Sequence, residues 1–243
     1  MRKRVICIVA ALLSVIVAAP SIYSQTIIDT GMPSKLVQAG VRMGFNTSNL
    51  STNFDEAYPE IAWNHSRWSQ GFTAGAVVDI NLRNYLAIQS GLNFRSRNNS
   101  FHYLVNDDNE LTAIDGKWGG YYFEIPLLLS FRLGVAELGQ LHIDAGPYWA
   151  TGFGGKCHYT YFSEQSGTVV AEKAKGDYFG KNGIANRSDW GFKFGVGVLV
   201  MQHYYIGAHY NAGARNIMRD SGDGVKKPSG HNKIWSFTVG YNF

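Results

Sequence analysis

Seven histidines, two cysteines and two short acidic runs are the residues of this chain that could do chemistry. A histidine becomes a general base when a nucleophile stands beside it. His65, His102, His158 and His231 lie in polar stretches, and no Ser/His/Asp spacing singles out any of them. Cys157 could act as a nucleophile or form an intermolecular disulfide, but a lone thiol without a recognisable histidine partner reads as passive. The chain contains no H-E-x-x-H, G-x-S-x-G, G-x-x-x-x-G-K-[ST] or paired C-x-x-C, so metalloprotease, serine-hydrolase, P-loop and zinc chemistries lack their residues. Gly152-Phe153-Gly154-Gly155-Lys156 is a partial phosphate-loop pattern and reads as a flexible strand end. Asn106-Asp107-Asp108-Asn109-Glu110 and Asp220-Ser221-Gly222-Asp223-Gly224 carry oxygen ligands of the kind calcium takes, and read as solvated loops. The expectation is a protein without a catalytic residue, metal or cofactor, and not an enzyme.

The elements that would position any such residue are strands. From residue 36 onward, bulky apolar residues recur at every second position in eight segments, which is the mark of strands with two chemically different faces. In the last, Trp235, Phe237, Val239, Tyr241 and Phe243 share one face while Ser236, Thr238, Gly240 and Asn242 share the other. The first sets Val37, Ala39, Val41, Met43 and Phe45 against Gln38, Gly40, Arg42 and Gly44. The rule repeats around Phe72–Ile80, Leu86–Phe94, Tyr121–Arg132, Leu141–Trp149, Trp190–Val200 and Tyr204–Gly213. Pro126 and Pro147 interrupt two of these segments, where a bulge or distortion is expected because proline cannot donate to the ladder.

Connections of alternating length organise the segments. Stretches 46–70, 96–119, 154–187 and 215–232 are long and polar, whereas Asn81–Asn84, Gly134–Gln140 and a reversal near Gln202 are short. An even number of strands with long loops at one end and tight turns at the other describes an outer-membrane barrel, with both termini on the periplasmic side. The polar face is rich in glycine, which suits the crowded interior of an eight-stranded barrel, and the Trp, Phe, Leu and Val face suits lipid. A soluble lipocalin-like barrel would place the apolar face inward instead. The fold class expected is therefore all-β, an eight-stranded antiparallel up-and-down transmembrane β-barrel with short periplasmic turns and four long extracellular loops.

Export fits the start of the chain. Arg2, Lys3 and Arg4 precede an apolar run from Val5 to Ala19, which reads as a secretory signal over residues 1–24. A periplasmic segment over 25–35 and a barrel over 36–243 complete the expected organisation. The net charge of +4 falls close to zero once the signal's basic residues are set aside, and no basic face remains for a nucleic acid. Cys7 belongs to the signal, so Cys157 has no partner for an intramolecular disulfide.

Charges on the inner face need partners, because a lone buried charge is costly. Counting from the short turns places Glu124, Lys193, Arg42 and His209 near mid-barrel, and Arg132, Asp144 and Asp79 near the periplasmic end, predicting two ion-pair clusters that plug the lumen. Aromatics in the long stretches either belt the membrane interface, as expected of Trp68 and Tyr159, or form a contact surface. Tyr159, Tyr161, Phe162, Tyr178 and Phe179 are the candidates for a surface that meets a protein partner. A membrane-embedded enzyme and a narrow channel are the competing functions.

Three motifs carry a resemblance. Tyr121-Tyr122-Phe123-Glu124-Ile125-Pro126-Leu127-Leu128-Leu129, Gly146-Pro147-Tyr148, and Asp189-Trp190-Gly191-Phe192 with Gly195-Val196-Gly197-Val198 resemble the PorT-like outer-membrane β-barrel family over roughly residues 36–243. The terminal Tyr241-Asn242-Phe243 resembles the signal read by the barrel-assembly machinery. The resemblance implies an eight-stranded barrel in the outer membrane of a Gram-negative cell, among lipid, with some relatives taking part in protein export through the type IX secretion system.

Overall fold

A computed structural model describes residues 27–107, 110–135, 139–165, 168–219 and 226–243. The expected signal segment with Cys7 lies outside these residues, as do Asp108, Asn109 and the run Asp220–Gly224. The strands are β1 (Val37–Thr52), β2 (Ile61–Arg83), β3 (Leu86–Asp107), β4 (Glu110–Val135), β5 (Gly139–Gln165), β6 (Thr168–Asp177), β7 (Ser188–Val200), β8 (Tyr204–Gly213) and β9 (Gly230–Asn242), with one helical turn, α1 (Phe54–Ala57), between β1 and β2. Every strand pairing is antiparallel. The order β4-β3-β2-β1-β9-β8-β7-β5 closes through a β4–β5 pairing into a ring of eight, and β6 extends β5 as a hairpin arm. Closure leaves no free edge within the ring, which is what a sheet needs in hydrocarbon.

Both ends of the ring's chain lie at one rim, where the Phe243 amide donates to the Ala39 carbonyl. The residues before β1 fold against this terminal rim, with Gly134 N–H on the Ile27 carbonyl and Asn81 Nδ2 on the Lys35 carbonyl. At the opposite, far rim the strands continue well past the eight apolar segments. Most of 46–70, 96–119 and 154–187, expected as loop, is paired strand.

The prolines cause no register shift. Pro126 pairs with Tyr148 and Leu129 with Ala145 in the same register, but the ladder lapses between them at Leu127 and Leu128, opposite Pro147 and Gly146, so the expected distortion is a local gap and not a bulge; Pro147 pairs with Phe192 on its other side. The register shift in the β4–β5 ladder lies instead between Gly119 and Tyr121, opposite Gly154 and Gly155. These two glycines have φ of +61° and +98°, values open to glycine at little cost, so the expected flexible strand end is a fixed bulge. One extra residue there flips the pleat: Tyr148, Ala150 and Gly152 are inward before it, Cys157 after it.

Candidate functional site

Inside the ring, large polar side chains meet where glycine stands between them. Asp144 on β5, Gly195 on β7 and His209 on β8 occupy one row of the sheet, and across the glycine His209 Nε2 lies 3.3 Å from Asp144 Oδ2. A methyl group on Gly195 would strike the His209 ring. Arg42 on β1, Gly240 on β9 and Tyr205 on β8 form a second such row, with the guanidinium 4.0 Å from the Tyr205 ring centroid. That ring rests in turn on Gly197 and Gly207. Arg132 reaches Asp79 at 2.8 Å and Asn81 at 2.6 Å, and Gln89 donates to Asp79 at 2.9 Å. This layer lies toward the terminal rim.

A second layer sits above it. Glu124, fully buried, accepts from Arg95 (2.9 Å) and Lys193 (3.2 Å) on Oε1, and from Arg97 (3.1 Å) and Asn211 (3.1 Å) on Oε2. Arg97 also donates to Asp189 at 2.5 Å, and Asp189 accepts from Asn232 and Tyr148. The four donors saturate one carboxylate, the condition under which a buried charge is tolerated.

The charges expected in two clusters meet in other combinations. Glu124 and Lys193 pair as placed, but His209 joins Asp144 and Arg42 joins Tyr205, because glycines 195 and 240 open those contacts across a strand. Arg95, Arg97 and Asp189 were not among the expected charges. Their signal was in the sequence: odd-numbered residues of β3 point inward from Asn93 through Arg95 and Arg97, but the outward row turns polar there and hides the alternation.

Toward the far rim the interior turns aromatic. The chain after β6 folds back into the mouth, so that Tyr178 and Phe179 are 4% and 6% exposed. The Phe179 ring covers Gly120 and Gly152 and meets Tyr122 edge-on at 5.5 Å. Phe101 packs on Trp118 at 4.4 Å, and Phe54 of α1 meets Trp118 edge-on at 6.0 Å. Arg219 holds the turn through the carbonyls of Gly180 and Lys181. The expected contact surface is thus divided. Tyr178 and Phe179 are interior, Tyr159 is half-buried against the aromatic cluster, and Tyr161 remains 37% exposed, with Phe162 between these extremes. Glycines 120 and 152 leave room for a ring that a loop alone could not hide. Cys157 is buried on β5 with Sγ 3.8 Å from the Asp177 carbonyl, and burial pushes its thiol up, away from the reactive thiolate.

On the outside, at the level between the two interiors, Trp149 pairs with Trp190, and the Tyr210 and Trp235 rings meet at a tilt with centroids 4.9 Å apart. Tyr204, Tyr241 and Phe243 cluster outside the terminal rim. Between these two groups the outward residues are mostly Val, Ile, Leu, Met and Phe, many of them more than a third exposed, with alanines such as Ala74, Ala76, Ala145 and Ala208 among them. A family described as outer membrane protein beta-barrel domain matches residues 23–219. The chain belongs to that family.

The outward apolar band of this outer-membrane barrel therefore faces lipid, with aromatic girdles at both interfaces. Among solved structures, the barrel is similar to OprG of Pseudomonas aeruginosa, at 12% identity and TM-score 0.43 over 89% of this chain and 99% of that one. It is similar to Ail of Yersinia pestis, solved in complex with the heparin analogue sucrose octasulfate, at 13% identity and TM-score 0.39 over 86% and 100%. The outer-membrane protease OmpT of Escherichia coli matches at 8% identity and TM-score 0.29 over 93% and 100%. No curated protein matches the chain.

Proposed function

We propose that this outer-membrane barrel is a closed, non-enzymatic structural or interaction protein, with both termini periplasmic and the far rim standing outside the cell. The observation that carries the proposal is the filled interior: the Glu124 layer occupies the lumen at lipid level and the Tyr178–Phe179 turn occupies its mouth. With four donors taken up on one carboxylate, the Glu124 layer leaves no continuous open path for an ion through the lumen. The test is conductance of the purified barrel in planar bilayers. Silence is the expected result; steady ohmic steps from the wild-type chain would replace this function with that of a narrow channel.

The strands beyond the girdle lift Trp63, Trp68 and Tyr161 above the membrane, each more than a third exposed, and offer them to a protein partner. The resemblance to the PorT-like family, some members of which take part in protein export, suggests an accessory role in protein secretion, with insertion by the barrel-assembly machinery through the strand that ends in Phe243. Secretome comparison between cells with and without the gene tests the secretion role: an unchanged set of exported proteins overturns it. Photocrosslinking from position 161 tests the contact surface, which is wrong if the same adducts form from a lipid-facing site such as Ile125.

A further inference from the structure

Beyond the lumen and the contact surface, the far rim holds a cleft of about 830 Å³ that neither uses. Its floor and walls are Phe54, Tyr103, Trp118, Tyr159 and Met218, drawn from α1, three strands and the segment before β9. Ile184 and Pro228 close its sides, and Lys181 and Arg219 stand at its mouth with Asn182. The size and the apolar, aromatic lining with a few convergent polar groups are those of a small-molecule site.

The charges select the ligand. Among the described lining residues there is no carboxylate, while two cationic side chains and an amide converge on the opening. An aromatic cage of this kind also attracts organic cations, by the face of each ring. Lys181 and Arg219 oppose such a guest, and none of the described lining residues offers it a counter-charge. Neither cation is in an ion pair among the described residues. Arg219 donates from Nη1 to the carbonyls of Gly180 and Lys181 and from Nε to Asn186 Oδ1, which fixes the turn bearing Lys181 and so preforms the rim while Nη2 has no partner among the described residues. The walls are themselves anchored: Phe54, Tyr103 and Trp118 pack on one another edge to face at 5.9 and 6.0 Å. A preformed site loses little entropy on binding.

We infer that this cleft binds an organic anion with a flat or branched apolar body, the body stacked on Trp118 and Tyr159 and the anionic group held by Lys181 and Arg219. The cleft lies above the Trp149–Trp190 girdle, so its ligand arrives from water rather than from lipid.

Equilibrium dialysis of the full barrel in nanodiscs, against empty nanodiscs, tests the assignment with two probes of equal body and opposite charge: naphthalene-2-sulfonate and (2-naphthylmethyl)trimethylammonium. The expected result is saturable binding of the sulfonate at one per chain, at least about tenfold tighter than the ammonium, since one charge-assisted hydrogen bond supplies roughly that factor. Lys181→Gln, at an exposed site whose side chain makes no hydrogen bond or ion pair among the described residues, weakens the sulfonate about tenfold on the same basis. Ile184→Trp, which fills the cleft, abolishes binding while the barrel keeps its heat-modifiable gel mobility. Equal affinity for the two probes, no binding above empty nanodiscs, or sulfonate binding unchanged in both variants would each overturn the inference.

Discussion

Strand β3 crosses two regions of the molecule that reverse each other. At lipid level its outward row reads Ile88, Ser90, Leu92 and Phe94, the Ser90 hydroxyl donating to the Pro126 carbonyl, and its inward row Gln89, Gly91, Asn93 and Arg95. Past the girdle the outward row reads Asn98, Ser100 and His102, and the inward row ends in Phe101 and Tyr103. The backbone alternation is continuous, since β3 and β4 pair in one register from Leu86 to Asp107. What changes is the solvent outside. Against hydrocarbon the polar groups must be satisfied inside, so the lumen is a hydrogen-bonded layer of charges; against water the apolar groups must hide inside, so the crown is an aromatic cluster. The same pleat thus builds two cores held by different forces: one by paired charges that fail badly when a partner is lost, the other by apolar contact that fails in proportion to the area removed.

Glu124→Ala probes that difference most directly. It strands Arg95 and Lys193 in the lumen and leaves Arg97 with Asp189 alone, and removing one partner of a buried pair costs roughly 3–5 kcal/mol. The urea midpoint of the barrel in lipid bilayers should drop accordingly, and an unchanged midpoint would mean that the charged layer contributes nothing. Phe179→Ala removes a ring from the aromatic core at a cost of about 3 kcal/mol, confined to the far rim. Hydrogen exchange over 178–186 should accelerate while the spanning segments stay protected; uniform acceleration would merge the two regions into one cooperative unit. Gly195→Ala adds a methyl group where the His209 ring lies, and overpacking of this kind costs about 2 kcal/mol. Its mark is spectroscopic: the His209 imidazole resonances should move as contact with Asp144 is lost, and unmoved resonances would deny that the glycine row makes the pair. The smallest effect is at Cys157, whose thiol burial pushes up. It should resist iodoacetamide at pH 8 in the folded barrel and react once urea unfolds the crown; prompt labelling of native protein would show a crown looser than the lumen by more than its packing implies.

The lipid-level strands were legible in the sequence because hydrocarbon outside and polar filling inside give an alternation with a clear sense, as in Val37–Phe45 and Trp235–Phe243. The same strands were illegible past the girdle. At 96–119 the alternation persists with its polarity inverted and diluted by Asn, Ser and Gly, which in a sequence looks like a polar loop. At 154–187 the bulge at Gly154 and Gly155 shifts the inward set from even to odd positions, so that Tyr159 changes face and no single period describes the segment. Glu124, Lys193, Asp79, Asp144 and Arg132 were identifiable as inward charges from strand parity.

The amino-acid sequence by itself determined the class of fold, the two faces of the spanning strands and the small residues that the lumen requires, because each follows from local alternation against a known pair of solvents. The tertiary structure decided which charges meet and where the crown's aromatics go. Those contacts join strands far apart in the chain. Asp144 and His209 find each other only because β7 pairs between β5 and β8 and sets Gly195 between them, and Tyr178 and Phe179 become interior only because glycines on β4 and β5 leave their rings a space that no local pattern records.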